Sequence, residues 1–245
     1  MVLLETSGLV KRYGGRTVVD GVSISVGQRS IVGLLGRNGA GKTTSFRMCI
    51  GMIVPDGGTV MFEGTDVTKF PMFKRARLGM GYLSQEPSVF QRLTVRENLQ
   101  AILETMSLTL RERNRRCNDL IERFGLGEVV DSHARFLSGG ERRKLEIARA
   151  MVTNPSLILL DEPFSGVDPI AVEELQVEIR RLVASGVSIL ITDHNVERTL
   201  EVADKAYIMD HGKVIASGPP KDIIQDELVR KSYLGQTFKG DEFDD

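Results

Sequence analysis

Short, continuously apolar runs recur along the chain and predict parallel β-strands. Ile31–Leu35, Leu157–Leu160 and Ser188–Thr192 are apolar at nearly every position, as expected where a strand is covered on both faces of a sheet. Between the last two runs, Pro169–Val183 has helical spacing, with proline in its first turn. The alternation of buried strands with helices predicts an α/β fold.

The first 85 residues or so show a different pattern, with short strands and turns around one helix. Val18–Val26 alternates in part between apolar and polar residues, and Gly58–Phe62 and Gly79–Leu83 are short runs rich in strand-forming residues. Late in the chain, two short β-rich runs flank His211-Gly212. That pair predicts the turn of a hairpin over residues 206–216.

A helical segment is predicted in the middle of the chain. Glycine becomes rare between Val95 and Thr153, and charged residues there mix with leucines at helical spacing, as in Leu110–Phe124. We expect a helical subdomain over about residues 87–154, inserted into a single domain of residues 1–238. Residues 239–245 are mostly acidic and are predicted to form a disordered tail.

Composition and charge argue against several classes of function. With 32 basic and 33 acidic residues, the formal net charge is −1, which argues against an extended nucleic-acid surface. Cys49 and Cys117 are far apart in sequence and have no metal-ligand spacing, and a disulfide is not expected. The N-terminus lacks the pattern of a signal peptide, and no apolar run approaches the ~20 residues that span a bilayer. We therefore expect a cytoplasmic protein that reaches a membrane only through other chains.

A glycine-rich segment directly after Ile31–Leu35 predicts a phosphate-binding loop. It ends in Gly-Lys-Thr and matches the P-loop pattern. Glycines let successive backbone N–H groups turn toward an anion, and the following helix points its positive dipole end at the same place. Lys42 would bind the β- and γ-phosphates, and the Thr43 hydroxyl would ligate Mg²⁺. The predicted nucleotide-binding residues here are Gly36, Arg37, Asn38, Gly39, Ala40, Gly41, Lys42, Thr43 and Thr44.

A pair of acidic residues follows the predicted strand at Leu157–Leu160. Open α/β sheets place their ligand sites at the carboxyl ends of the strands, which is where Asp161 and Glu162 lie. Asp161 would help to hold Mg²⁺, as the aspartate of a Walker B motif does. Glu162 would orient and polarise the attacking water.

Ser138-Gly139-Gly140 precedes a helical run that reaches Thr153. A helix start of this composition offers bare N–H groups, a hydroxyl donor and a dipole that favours an anion. On its own, the tripeptide is more typical of a flexible loop. Between a P-loop and an Asp-Glu strand end, it resembles the signature motif of the ATP-binding-cassette (ABC) ATPases.

This resemblance extends over essentially the whole chain to about Gly235 and implies further roles. In the family, Tyr13 would stack on adenine, and Gln85 would contact both Mg²⁺ and the γ-phosphate. Asp168 lies in a segment similar to the D-loop, and His194 resembles the histidine that contacts the γ-phosphate. The implied fold is a P-loop NTPase (RecA-like) core with an N-terminal antiparallel β subdomain and an inserted α-helical subdomain.

Each of these motifs occurs once in the chain. In the family, the signature helix of one subunit covers the ATP that the P-loop of another subunit binds. The resemblance therefore implies an ATP-dependent homodimer, in which two copies enclose two nucleotides.

The segment after Gln85 implies membrane partners. In transport ATPases of this family, it forms a groove for two membrane-embedded permease subunits, and here Phe90, Arg92 and Leu93 would supply its contacts. A single aromatic residue such as Phe90 packs into the protein interior about as often as it forms a partner contact. With Phe70–Gly79 upstream and Tyr233-Leu234-Gly235 near the end, the chain closely resembles the ATPase of bacterial lipopolysaccharide export at the inner membrane. Branched-chain amino-acid importer ATPases are the alternative.

Two other classes of function remain open. One is a soluble ABC protein that acts on DNA or ribosomes, although the near-neutral charge argues against it. The other is a nucleotide-gated binding module that barely hydrolyses ATP. Such proteins often lack the glutamate after the Walker B aspartate, whereas this chain has Glu162.

Overall fold

A computed structural model of the chain describes residues 1–86, 88–166 and 168–230, and only the backbone of Leu228. The predicted acidic tail, residues 239–245, lies outside these ranges. The strands are β1 (Val2–Tyr13), β2 (Arg16–Val22), β3 (Ser25–Gly27), β4 (Ile31–Gly36), β5 (Gly57–Phe62), β6 (Thr65–Asp66), β7 (Met80–Leu83), β8 (Leu157–Asp161), β9 (Ser188–Thr192), β10 (Lys205–Asp210) and β11 (Lys213–Gly218). The helices are α1 (Lys42–Ile50), α2 (Met72–Arg77), α3 (Val95–Leu103), α4 (Leu110–Arg123), α5 (Gly139–Met151), α6 (Pro169–Ala184), α7 (Val196–Leu200), α8 (Pro220–Gln225) and α9 (Glu227–Val229).

The strands form two sheets. An antiparallel sheet has the order β2-β1-β5-β6, with β3 also paired to β1. The second sheet has the order β11-β10-β4-β9-β8-β7, in which the pairs from β10 to β7 are parallel. The predicted α/β fold with an N-terminal antiparallel sheet is confirmed.

Apolar side chains cover both faces of the parallel sheet, which explains why its strands are continuously apolar. Along β8, Leu157 and Leu159 pack into a cluster with β1, β5 and α1. Ile158 and Leu160 point the opposite way and pack into a cluster with helices α3 to α6. Because successive side chains alternate in direction, all four positions are buried.

Helices and 3₁₀ turns occupy the described residues between β7 and β8. Thr94 and Thr109 begin α3 and α4 with capping boxes. Leu99, Leu120 and Leu145 bring α3, α4 and α5 into one apolar cluster. A division of the chain into one domain with a helical subdomain over residues 87–154 remains a prediction.

The N-terminal region differs from the prediction in three ways. Val2–Tyr13 is a single twelve-residue strand, and Val18–Val26 is split between β2 and β3. The expected single helix is wrong, because α2 follows α1. At six residues, α2 is too short to give a periodic sequence pattern.

Candidate functional site

The P-loop connects β4 to α1, and neighbouring strands approach it closely. Gly36 has φ 153°, and a Cβ atom there would lie 2.3 Å from the carbonyl oxygen of Met209. Gly41 has φ 99°, and its Cβ atom would lie 2.7 Å from the carbonyl oxygen of Val18. Glycine is therefore needed at both positions to let β2 and β10 pack against the loop.

Helix α1 presents an anion-binding end to the loop. Gly41 is its N-cap residue, with no side-chain cap and no acidic residue in the first turn. The first N–H groups of the helix and its dipole are thus directed at the loop. Arg37, Asn38 and Gly39 are exposed, Ala40 is buried, and Thr43 and Thr44 are half-buried in the first turn.

Lys42 is buried beneath the loop. Its Nζ donates hydrogen bonds to the carbonyl oxygens of Gly36 at 2.6 Å and Arg37 at 3.1 Å. Burial lowers the pKa of the Lys42 ammonium, while the charges of Glu162 and Asp193 raise it to a smaller extent. The P-loop lysine therefore lies within electrostatic reach of the carboxylates that follow β8 and β9.

Four neighbouring strands place the predicted polar residues at one edge of the sheet. The parallel order β4-β9-β8-β7 brings together the P-loop, His194, the Asp161-Glu162 pair and Gln85, in that sequence across the edge. Asp161 pairs with Thr192 in the β8–β9 register. The carboxyl ends of parallel strands thus converge at this edge, as in other open α/β sheets.

Among the polar residues at this sheet edge, Glu162 contacts both Gln85 and His194. Gln85 Nε2 donates a hydrogen bond to Glu162 Oε2 at 3.0 Å. His194 Nδ1 lies 3.5 Å from the same oxygen. Glu162 also has φ 47°, a left-handed conformation that is uncommon outside glycine. Such conformations cluster at functional sites, where surrounding structure holds them in place; here the Glu162 N–H donates to the Thr192 carbonyl at 2.7 Å.

Asp161 is buried at the end of β8. Tyr82 donates its hydroxyl hydrogen bond to Asp161 Oδ2 at 3.2 Å. Burial raises the pKa of Asp161, and the Tyr82 hydrogen bond and the Arg47 charge oppose this shift. Burial and the Asp161 charge in turn raise the pKa of Tyr82 to about 12, so Tyr82 remains a hydrogen-bond donor at neutral pH.

Asp193 and Tyr82 belong to this group, and the sequence analysis missed both. Asp193 is fully buried and accepts hydrogen bonds from the N–H groups of Asn195 at 2.8 Å and Phe164 at 3.0 Å. Burial raises its pKa, and these two hydrogen bonds oppose the shift. An acidic residue directly after the apolar run at Ser188–Thr192 was the available signal for Asp193.

Three more of the predicted residues border a cleft of about 730 Å³ between α5 and α6. Gly139, Gly140 and Asp168 line it together with Gln85 and Glu162. Among the residues that the structure describes, none of the P-loop positions 36–44 lines this cleft. Within one copy, the signature-like segment therefore shares a cleft with Glu162 and Gln85, whereas the P-loop does not line that cleft.

The start of α5 differs from the expected bare helix end. The Ser138 backbone N–H donates to Glu141 Oε2 at 2.8 Å, and the Glu141 N–H donates back to Ser138 Oγ at 3.3 Å. This capping box places a carboxylate in the first turn. The expectation of bare N–H groups at this helix start is therefore wrong in part, because Glu141 already compensates the positive end of α5.

Tyr13 ends β1 and is about half exposed. The Lys11 ammonium lies 5.6 Å from its ring centroid. The ring is accessible to a flat ligand, although no contact in the structure joins it to Glu162 or Gln85 among the described residues.

Phe90 is 49% exposed, so it does not pack fully into the interior. The Arg149 guanidinium lies 4.7 Å from its ring centroid, and Asn98 accepts the Phe90 N–H hydrogen bond at 2.8 Å. Arg92 is exposed and Leu93 is half-buried. These three residues lie close together in the segment between β7 and α3.

Mg²⁺ would find hard oxygen ligands beside the P-loop. Thr43, Asp161 and Gln85, which are predicted to hold the ion, each have an oxygen donor of the kind that suits it. In the part of the chain that the structure describes, no three His, Cys, Asp or Glu side chains are placed to hold a metal by themselves. This donor set fits an ion that takes its other ligands from phosphates and water.

Among the described residues, no helix combines the length and apolar character that crossing a bilayer requires. Cys49 and Cys117 are both buried free thiols, in agreement with the expectation of no disulfide.

Sequence comparisons match most of the chain to a known family. Residues 19–165 match the family described as ABC transporter, and residues 213–239 match one described as branched-chain amino acid ATP-binding cassette transporter. The lipopolysaccharide export system ATP-binding protein LptB of Haemophilus influenzae is 49% identical over 240 residues, covering 98% of this chain and 100% of the relative. LptB of Escherichia coli K12 has the same identity and coverage. LptB of Acidithiobacillus ferridurans is 48% identical over 237 residues, covering 97% of this chain and 98% of the relative.

Solved structures are similar over nearly the whole chain. The ADP conformation of MJ1267, an ATP-binding cassette of an ABC transporter, has a TM-score of 0.87 at 30% identity, covering 96% of this chain and 100% of that one. CbiO1 from Clostridium perfringens, part of the ABC transporter complex cbiONQ, has a TM-score of 0.85 at 26% identity, covering 96% of each chain.

Proposed function

Because this chain belongs to the ABC transporter family of ATP-binding cassettes, whose members are ATPases that power transport, we propose that it powers lipopolysaccharide export. In this proposal, it hydrolyses ATP to ADP and phosphate in order to drive lipopolysaccharide from the inner membrane toward the outer membrane. The observation that carries the assignment of catalytic residues is the position of Glu162. Its carboxylate lies between Gln85 and His194 at the sheet edge that also holds the P-loop.

Lys42, the P-loop N–H groups and the end of α1 would bind the triphosphate, and Tyr13 would stack on the adenine. The tight approach of β2 and β10 to the loop supports this assignment, because it fixes the backbone donors before the ligand binds. Thr43, Asp161 and Gln85 would hold Mg²⁺. When bound, this ion would neutralise charge on the β- and γ-phosphates.

Glu162 would orient and polarise the water that attacks the γ-phosphate, with no covalent intermediate. Gln85 fixes the carboxylate from one side, and His194 would donate to the γ-phosphate from the other. Positioning and charge stabilisation supply most of the rate enhancement in phosphoryl transfer. Asp193, held by two backbone N–H groups, lies 3.5 Å from His194 Nδ1 and supports the orientation of that ring.

We propose that two copies of the chain enclose two ATP molecules. Ser138, Gly139, Gly140 and Asp168 of one copy would complete the site formed by the P-loop of the other. The cleft lining supports this arrangement, since Gly139 and Gly140 line a cavity to which the P-loop of the same copy does not contribute among the described residues. A single copy would then bind ATP without completing its catalytic site.

The assignment to lipopolysaccharide export rests on curated relatives that match nearly the whole chain at 48–49% identity. A branched-chain amino-acid importer is the second candidate, because residues 213–239 match the family of that name. In either system the subunit would bind two membrane-embedded permeases at the cytoplasmic face of the inner membrane. Phe90, Arg92 and Leu93 would form the contact surface.

The Glu162→Gln variant tests the catalytic assignment. We expect it to bind ATP with unchanged affinity, to lose more than about a hundredfold in hydrolysis rate, and to accumulate as a dimer with ATP. Phosphate release and size-exclusion chromatography measure these effects, and Lys42→Ala is the control that loses binding. Hydrolysis at the normal rate by Glu162→Gln would remove Glu162 from the role proposed for it.

The transport system is identified by the membrane proteins that co-purify with the chain from detergent-solubilised membranes. Permeases with a large periplasmic β-domain would support lipopolysaccharide export. Polytopic permeases that act with a soluble amino-acid-binding protein would instead support the importer assignment.

A further inference from the structure

A side-chain network that is buried at Gln176 joins α6 to α7, the helix that follows His194. Gln176 lies in the middle of α6 and is 6% exposed. Its amide nitrogen donates to the Arg198 carbonyl oxygen at 3.0 Å and to Glu201 Oε2 at 2.5 Å. The Arg198 guanidinium also donates to both carboxylate oxygens of Glu201, at 3.0 and 3.3 Å. Gln176 therefore directs both of its N–H bonds to α7 and to the residue that ends it.

Helix α7 is short and begins at Val196, two residues after His194. Asn195 caps it by accepting the Arg198 N–H hydrogen bond at 3.2 Å. The Thr199 hydroxyl donates to the Asn195 carbonyl at 2.9 Å. Because the helix has only five residues, it spans less than about two turns, and these two hydrogen bonds tie Asn195 to its last turn. A shift at its far end would be transmitted to His194.

Apolar packing and hydrogen bonding have separate effects on α7. Leu200 is buried in a cluster with Leu35 and Ile208, and Val196 packs against the same cluster. These contacts are non-directional, so they hold α7 on the sheet without fixing its position along α6. Hydrogen bonds have defined lengths and directions, so they fix that position. Gln176 donates two of them, and Arg180, also on α6, donates a third to the Glu201 carbonyl oxygen at 2.9 Å.

We propose that Gln176 is a positioning residue for ATP hydrolysis, which holds α7 so that His194 stays beside Glu162. The inference rests on the proposed function, since it requires His194 to act in hydrolysis. Helix α6, which carries Gln176, is capped by Asp168, a residue proposed to lie at the interface between two copies. The network thereby links that interface to the histidine of the same chain.

Steady-state hydrolysis by a set of variants tests this role. Gln176→Glu replaces the donor by a carboxylate opposite Glu201, and we expect kcat to fall about tenfold while KM for ATP stays within about twofold. Adding Glu201→Gln restores a donor–acceptor pair with its direction reversed, and we expect kcat to return to within about threefold of the wild-type value. Gln225→Glu, an exposed change of the same kind on α8, is the matched control and is expected to keep wild-type kcat.

Gln176→Leu separates positioning from stability. It removes both hydrogen bonds and introduces an apolar side chain of similar size, while Glu201 keeps its hydrogen bonds from Arg198. We therefore expect the Tm to fall by no more than a few degrees, together with a lower kcat. If Gln176→Glu does not fold, this variant provides the same test.

The outcomes distinguish the inference from the function on which it rests. A wild-type protein that does not hydrolyse ATP would overturn the proposed function itself. Normal hydrolysis by His194→Ala would overturn the role of His194 and the inference with it. If His194→Ala is impaired while both Gln176 variants keep full kcat, only the inference fails. The inference also fails under a second outcome. In that outcome, the Gln176 variants lose kcat and Tm in parallel, and adding Glu201→Gln to Gln176→Glu restores neither.

Discussion

At the scale of single residues, two kinds of constraint act on the P-loop glycines. A phosphate-binding loop needs glycine where the backbone must approach an anion. In this structure, a Cβ atom at Gly36 would also clash with the carbonyl oxygen of Met209. A Cβ atom at Gly39 would have no neighbour within 4 Å. The two glycines share a positive φ but differ in the space around them.

Substitution of these glycines by alanine separates the two constraints. Gly36→Ala forces apart the loop and β10, and we expect it to lower the free energy of unfolding by more than about 3 kcal/mol. Gly39→Ala meets only the cost of its φ of 81°, about 1–2 kcal/mol. Urea denaturation measures both. Equal losses in the two variants would show that the contact with Met209 has no effect on stability.

At the scale of elements, three helices begin with the same capping box. The boxes are Thr94 with Glu97 on α3, Thr109 with Glu112 on α4, and Ser138 with Glu141 on α5. Hydrogen bonds to the cap residue hold the pKa of each of these carboxyl groups below its usual value. Only the box on α5 belongs to the proposed nucleotide site.

This repetition provides a control within the chain for the role of Ser138. Thr109→Ala and Ser138→Ala each remove one cap, and each should lower the free energy of unfolding by about 1 kcal/mol. Only Ser138→Ala should also reduce the hydrolysis rate, by about tenfold or more. Urea denaturation and phosphate release measure these two effects. If both variants hydrolyse ATP equally fast, Ser138 acts only as a helix cap.

The contact between α1 and α2 depends on a buried cation, Arg75. Its guanidinium donates to the carbonyl oxygens of Met48, Cys49, Phe70 and Thr68 at 2.6–3.1 Å. Burial lowers its pKa. The first two acceptors lie in the last turn of α1, where a positive charge is favourable.

Arg75→Met leaves four carbonyl groups without this donor, and we expect the free energy of unfolding to fall by about 3 kcal/mol or more. Arg77→Met, an exposed position on the same helix, should change it by less than about 0.5 kcal/mol. Chemical denaturation compares the two variants. Similar values for both would contradict a structural role for the Arg75 guanidinium.

At the scale of the whole molecule, the proposed partner surface depends on Phe90. The ring is half exposed and covered on one side by Arg149. Phe90→Ala should keep the Tm of the wild type within a few degrees, because about half of the residue is already exposed to solvent. It should lose most of the permeases that co-purify from solubilised membranes. Leu110→Ala, at an exposed apolar residue on α4, is the control. Full recovery of permeases with Phe90→Ala would exclude this surface.

Much of the fold and of the proposed site could be predicted because it is encoded over short stretches. The strands at Ile31, Leu157 and Ser188 are apolar on both faces, and the end of each is marked by a P-loop or an acidic residue. Helix α2 was missed because six residues show no period, and the twelve-residue β1 because glycine and polar residues interrupt it.

The sequence by itself determined the identity of the phosphate-binding loop, the acidic strand end and the strands that carry them, since phosphate chemistry and two-sided burial each require particular residue types at neighbouring positions. Only the tertiary structure decided which of these segments meet. The strand order sets Glu162 between Gln85 and His194, pairs Tyr82 with Asp161, and brings Gln176 to Glu201. These contacts join residues distant in the chain, and their distances depend on how sheets and helices pack.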